Sequence, residues 1–359
     1  MINIAQCAIT YDNALLLIKN DAQGLHTAFK LEGTNPISIA QDPLNSNILY
    51  CGTFDHGLWK STDKGDTWAP IGTRFTYNSP FKKDDIHMTS ITAVTVVDTG
   101  KSSGTVIVGT EPSALFISYN EGQTFELLTD FEHIQGKNQW FFPPRPFTHH
   151  VKWFDTNIKS PGTINLTIEA GGFIQSRDYG QHWELPRTDR VLPIDIHVLK
   201  SHPDYPNQLY GVLGDAFLEG GRDTFIESDD YGQTWTTFID GIKYRYGYGL
   251  ALNSNNSSNI VIATSNSPFN AHNYDDDTFS TIYYVDKEHE SAWTEADEGL
   301  PAPEGTLISA ISEKDGIFYI ANNKGVFYSE SGGKSWTSLA IEWPESLTHQ
   351  HAHQFITLN

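Results

Sequence analysis

The sequence predicts an all-β fold, a seven-bladed β-propeller, and three observations carry that expectation. An eight-residue pattern recurs along the chain. Its copies are spaced by about the length of one four-stranded sheet. The two ends of the chain each hold a fragment of one further sheet.

The pattern reads S-x-D-x-G-x-T-W at Ser228 to Trp235, with close copies at Ser61 to Trp68, Ser118 to Phe125, Ser176 to Trp183 and Ser329 to Trp336. The starts lie 57, 58, 52 and 101 residues apart, the last gap spanning one eroded copy at Tyr284 through Trp293. Ser and Asp oxygens accept from nearby backbone amides and hold a tight turn. The fixed Gly permits positive φ. The closing aromatic offers a large flat surface to bury between sheets. Such a unit is a folding device, and it says little about chemistry.

Each period reads as four short strands. The opening strands are expected at Pro36 to Ala40, Ser90 to Val97, Thr148 to Trp153, Asp195 to Leu199, Tyr246 to Leu252 and Thr306 to Ile311. Six blades thus occupy residues 35–348. The seventh is expected from residues 1–34, which hold three apolar segments, together with the lone strand in residues 349–359. Closing a ring with both termini removes free sheet edges. The 359 residues are then one propeller domain.

Composition narrows the function classes. Net charge is −21, which disfavours nucleic acid and anionic membranes and keeps the chain soluble. No apolar run is long enough for a membrane helix. The start of the chain lacks a basic-flanked leader, and Cys7 and Cys51 alone imply no disulfide framework, so a cytoplasmic protein is expected. No P-loop, GxGxxG, GxSxG or HExxH motif is present.

Aligning the repeats sorts residues by face. The turn after the second strand shares a face with the start of the first, opposite the repeated turns. That places Glu111, Glu169 and Asp215 at equivalent positions of blades two, three and four. His149, His150 and His197 begin inner strands on the same face. The segment from Trp140 to His150 holds Pro143, Pro144 and Pro146, which fix the backbone and remove donors, so it is expected to be a loop presenting Arg145. His272 lies in a long insertion of blade five, and His349, His351 and His353 form a short tract in the tail.

The eight-residue pattern resembles the Asp-box, or BNR, repeat. The strings Gly109 to Phe116, Pro143 to Trp153 and Ile168 to Gly171 are similar to bacterial and fungal WD40/YVTN/BNR-like repeat proteins, some labelled glycosyl hydrolases. The resemblance spans blades one to six and implies the seven-bladed fold, with the repeated turns away from the active face. The sialidase pattern does not extend here, since no Phe-Arg-Ile-Pro segment is present and Arg177 falls inside a repeated turn.

Three functional readings follow. In the first, His150, His197 and Glu169, supported by His149, Glu111, Asp215 or His272, hold a divalent ion (Zn²⁺, Fe²⁺ or Mn²⁺) that assists hydrolysis or a related reaction of a small polar substrate. In the second, Glu111 with Glu169 or Asp215 hydrolyses a glycoside without metal while Trp140 and Phe142 stack on a sugar ring, and Arg145 is counted with the catalytic residues. The third is a binding or scaffold propeller without catalysis. The first is the reading adopted from sequence.

Overall fold

A computed structural model describes residues 6–21, 24–71, 79–186, 195–214 and 223–359. It is all-β, with seven blades forming a β-propeller; among the described residues the α-helix is limited to Pro268–His272. Two compact units divide the chain. One comprises Met1–Asp12, Leu16–Ala28 and Lys200–Asn359, the other Asn13–Leu15 and Phe29–Leu199.

In the Phe29–Leu199 unit, the first three blades open on Pro36–Gln41, Ile91–Val97 and Val151–Thr156. Each pairs outward in antiparallel order to a second and third strand. The second strands Thr105–Thr110 and Ile164–Ile168 are buried at every position, which explains their near-continuous apolar runs. Ile107, Leu115, Ile164, Leu166, Ile174 and Trp183 form one core cluster, each worth about 1.5–3 kcal/mol of burial. The third blade keeps three strands, and its fourth position is an isolated bridge from Gln175 to Glu184. The fourth blade opens on Ile196–Ser201.

In the other unit, blades five and six open on Tyr246–Asn253 and Ala310–Lys314. The sixth thus starts later than the expected Thr306. The reason is local: the amides of Leu307 and Ile308 bond the Asn323 side chain and the Ala271 carbonyl instead of a sheet neighbour. The seventh blade has the order Ala352–Thr357, Cys7–Tyr11, Leu15–Asp21, Gly24–Lys30, with Cys7 opposite Thr357 and Tyr11 opposite Ala352.

The repeated turns share one hydrogen-bond set. The Gly amide donates to the Ser oxygen at 2.8–3.0 Å in all five copies, from Gly65, Gly122, Gly180, Gly232 and Gly333. The Asp63, Asn120, Asp178 and Asp230 side chains each accept from the amide four residues on. In the first copy the Thr67 hydroxyl and amide hold Asp63 down to about 2. Two successive residues take positive φ rather than the glycine alone. The residue before it is Lys64, Glu121, Tyr179 or Tyr231, at 55°, 58°, 62° and 59°. A side chain there costs about 1 kcal/mol, which the turn's internal bonds offset.

Candidate functional site

The starts of two inner strands build the site within the Phe29–Leu199 unit. His150 immediately precedes Val151–Thr156, whose register shifts between Val151 and Trp153, and both His150 and Lys152 reach Glu169. Asp195 immediately precedes Ile196–Ser201 and lies beside His197. Glu169, just past Ile164–Ile168, receives both pairs. Its Oε2 accepts from Lys152 Nζ at 2.9 Å and meets His150 Nε2 at 3.1 Å. Donor or acceptor atoms of Glu169, Asp195 and His197 lie within 4.8 Å of one another. His197 Nε2 is 3.5 Å from Asp195 Oδ2, and the His197 side chain is 1% exposed.

The proline-rich segment delivers Arg145 as expected of a loop. A turn from Phe142 to Arg145 closes with a 2.8 Å backbone bond. The guanidinium then grips Glu111 through two parallel bonds, Nε to Oε1 at 2.9 Å and Nη2 to Oε2 at 2.7 Å. Its other faces rest on the Phe54 and Phe142 rings. His150 lies between the two acids. Its Nδ1 is buried without a hydrogen-bond partner, 3.6 Å from Glu111 Oε2, and its ring stands edge-on to Phe142.

Charges explain the titration of the group. Burial alone would raise Glu169, but Lys152, then His150 and His197, hold it well below the usual carboxylate range. Asp195 goes the other way, pushed up by burial and by the neighbouring Glu169 charge, with His197 pulling back. Three carboxylates, Glu111, Glu169 and Asp195, face two fixed cations, Arg145 and Lys152. The negative charge left over is met by a proton on Asp195, His150 or His197, or by an added cation.

The structure brings Glu111, Arg145, His150, Glu169 and His197 into one contact set. His149 is not part of it, and its ring stands edge-on to Trp140. His272 belongs to the other unit, where it contacts Tyr246 and His351. Asp215 lies outside the described residues. Asp195 and Lys152 were not read from sequence as site residues. The signal was present as D-x-H and H-x-K at the predicted strand starts.

His149 yields a pH prediction. Burial, with Lys137 and Lys83 nearby, pushes its imidazole down to about 4. A depressed folded-state pKa gives stability that is complete above the unfolded value, about 6.5, and lost as pH falls through about 4. Urea midpoints are therefore expected to fall between pH 6.5 and pH 4, and less steeply in His149→Gln. Equal slopes would show that His149 does not carry the effect.

No family model matches the chain, and no curated protein matches it in sequence. Solved structures do. An ancestral GH74 enzyme superposes with a TM-score of 0.62 at 15% identity, over 87% of this chain and 39% of that one. This chain thus spans well under half of that enzyme's length. YCF48 bound to D1 peptide gives 0.55 at 13% identity, over 86% and 82% of the two chains. The WD40 propeller domain of Doa1 gives 0.53 at 12%, over 92% and 91%. At such identities the likeness is one of architecture, and it says that this chain is a β-propeller.

Proposed function

We propose that the protein is an enzyme acting on a small polar substrate at the Glu111–Arg145–His150–Glu169–Asp195–His197 group, with Glu169, Asp195 and His197 holding a divalent metal ion. One observation carries this reading: two carboxylates and an imidazole offer ligand atoms within 4.8 Å of one another in a largely buried setting. Two oxygens and one nitrogen suit Zn²⁺, Mn²⁺ or Fe²⁺ and leave positions for water or substrate. This set replaces the His150, His197 and Glu169 triad expected from sequence, because His150 is engaged with Glu169 itself. The Arg145 guanidinium, 39% exposed, supplies donors for a polar substrate, and the His150 ring, whose Nε2 faces Glu169, turns a buried Nδ1 without a hydrogen-bond partner to the same group. The hydrogen bonds within the repeated turns support an Asp-box assignment for the repeats.

The test is metal content. Protein stripped with chelator and titrated with Zn²⁺ or Mn²⁺ is expected to bind an ion that Asp195→Asn/His197→Ala loses, while His353→Ala retains it. Unchanged stoichiometry in the double variant rejects the metal.

A second reading has its own support. Environments that push two neighbouring carboxyls apart are those of an acid and a base, and here Asp195 is raised while Glu169 is lowered. That pair is suited to metal-free glycoside hydrolysis, and Glu111 is less so, being clamped by Arg145. The fold likeness to a GH74 enzyme is compatible with it. Turnover of aryl glycosides by the stripped protein, abolished in Asp195→Asn, selects this reading. Neither metal nor turnover selects a binding propeller.

A further inference from the structure

A second group of titratable side chains lies in the unit that contains Lys200–Asn359, independent of the site above. It is a row of five: Tyr246, His272, His351, His353 and Asp12. Tyr246 Oη meets His272 Nε2 at 2.8 Å. His272 Nδ1 meets His351 Nε2 at 3.2 Å. His351 Nδ1 meets His353 Nδ1 at 3.2 Å, and His353 Nε2 meets Asp12 Oδ1 at 3.0 Å.

The backbone explains the gathering. His351 immediately precedes Ala352–Thr357, and His353 is the extra residue at a register shift where Tyr11 pairs with Ala352 and Thr10 with Gln354; the two rings meet edge to face at 4.7 Å. Asp12 follows Tyr11, which pairs with Ala352, and its Oδ2 accepts from the His351 amide at 2.7 Å. His272 ends the helix Pro268–His272, directed there by its bond to Tyr246. His351 is buried, the His353 side chain is 23% exposed and that of Asp12 48%, so the row is open to solvent at its Asp12 end.

We infer that His351 Nδ1 and His353 Nδ1 form a binding site for a divalent transition-metal ion. Two imidazole nitrogens that face each other at 3.2 Å are spaced like neighbouring ligands of one ion, since two bonds of about 2.1 Å at a tetrahedral centre separate their ends by about 3.4 Å. The remaining contacts are those that ligating histidines require. His353 donates Nε2–H to the Asp12 carboxylate. His351 donates Nε2–H to His272 Nδ1, and His272 in turn donates Nε2–H to the Tyr246 oxygen. With those bonds directed outward, the two Nδ1 lone pairs are turned to the shared ion. Imidazole donors select Zn²⁺, Ni²⁺ or Cu²⁺ over Mg²⁺ or Ca²⁺. With two protein ligands, the remaining coordination positions belong to water or to a polar ligand arriving from the Asp12 side.

The competing account is a hydrogen-bonded row with no ion, in which Tyr246 donates and each imidazole passes the bond on toward Asp12. Titration of chelator-stripped, full-length protein with Zn²⁺ separates the two. The parent and Asp195→Asn/His197→Ala are both expected to bind an ion that His353→Ala does not bind. Because His353 is partly exposed, that variant is expected to keep the parent's circular dichroism. Asp12→Asn is expected to weaken binding about 10-fold through loss of the carboxylate behind His353. Mg²⁺ is expected to give no signal at this site. Zn²⁺ stoichiometry unchanged in folded His353→Ala overturns the inference, as does affinity for Mg²⁺ equal to that for Zn²⁺.

Discussion

Glu169→Gln is expected to destabilise the protein by about 3–5 kcal/mol, the range for removing one partner from a buried charge pair. The Glu169 side chain is 13% exposed, and the same oxygen serves Lys152 and His150. Neutralising it removes the 2.9 Å ion pair to the Lys152 ammonium, itself 19% exposed. Urea unfolding measures the loss. Adding Lys152→Met to Glu169→Gln is expected to cost less than the sum of the two single changes, because the pair is then lost only once. A loss below about 1 kcal/mol for Glu169→Gln, typical of an exposed pair, would mean that the group is solvated and that Asp195 feels no buried neighbour.

Gly299→Ala is expected to be as damaging, for a steric reason. Gly299 sits at φ +81°, and a Cβ there would lie 1.8 Å from the Trp336 carbonyl oxygen. Backbone is the obstacle, so no rotamer change relieves it. Trp336 is buried in the core of blades five and six, and its amide bonds the Glu298 carbonyl at 2.9 Å. Strain and displacement together are expected to cost about 3 kcal/mol or more. Gly33→Ala is the control: φ is +75° with nothing within 4 Å of the added carbon, so about 1 kcal/mol of backbone strain is expected. Thermal midpoints should order parent, Gly33→Ala, Gly299→Ala. Equal midpoints for the two variants would remove the contact with Trp336 as the cause.

The architecture was readable because its defining device is local. Ser228, Asp230 and Gly232 bond within a few residues of one another, so the turn is written in consecutive letters and copied. The seventh blade was readable from hydrophobic patterning at both ends. What the spacing did not reveal is that a second residue of each turn, such as Tyr231, also takes positive φ. The site was readable only in part. Equivalence of His150 and His197 followed from repeat alignment, as did Glu111 and Glu169. Asp195 and Lys152 escaped because alignment compares blades, whereas their approach to Glu169 depends on the strand starts and a register shift particular to the third and fourth blades. The Arg145–Glu111 clamp joins a loop to a strand end 34 residues away, and no periodicity encodes such a meeting. His272 shows the same limit. Its partner His351 lies 79 residues further on, and an insertion carries no register.

The pairing of Cys7–Tyr11 with Ala352–Thr357 has a consequence in time. Gln354 bonds Thr10 across 344 positions, and synthesis at about 5–20 residues per second separates their emergence by roughly 20–70 s. Throughout that interval a stretch that ends fully buried, Cys-Ala-Ile-Thr-Tyr, has only Leu15–Asp21 beside it and lacks its other neighbour. Nascent chains of this protein thus carry one open sheet edge until Ala352–Thr357 has been made.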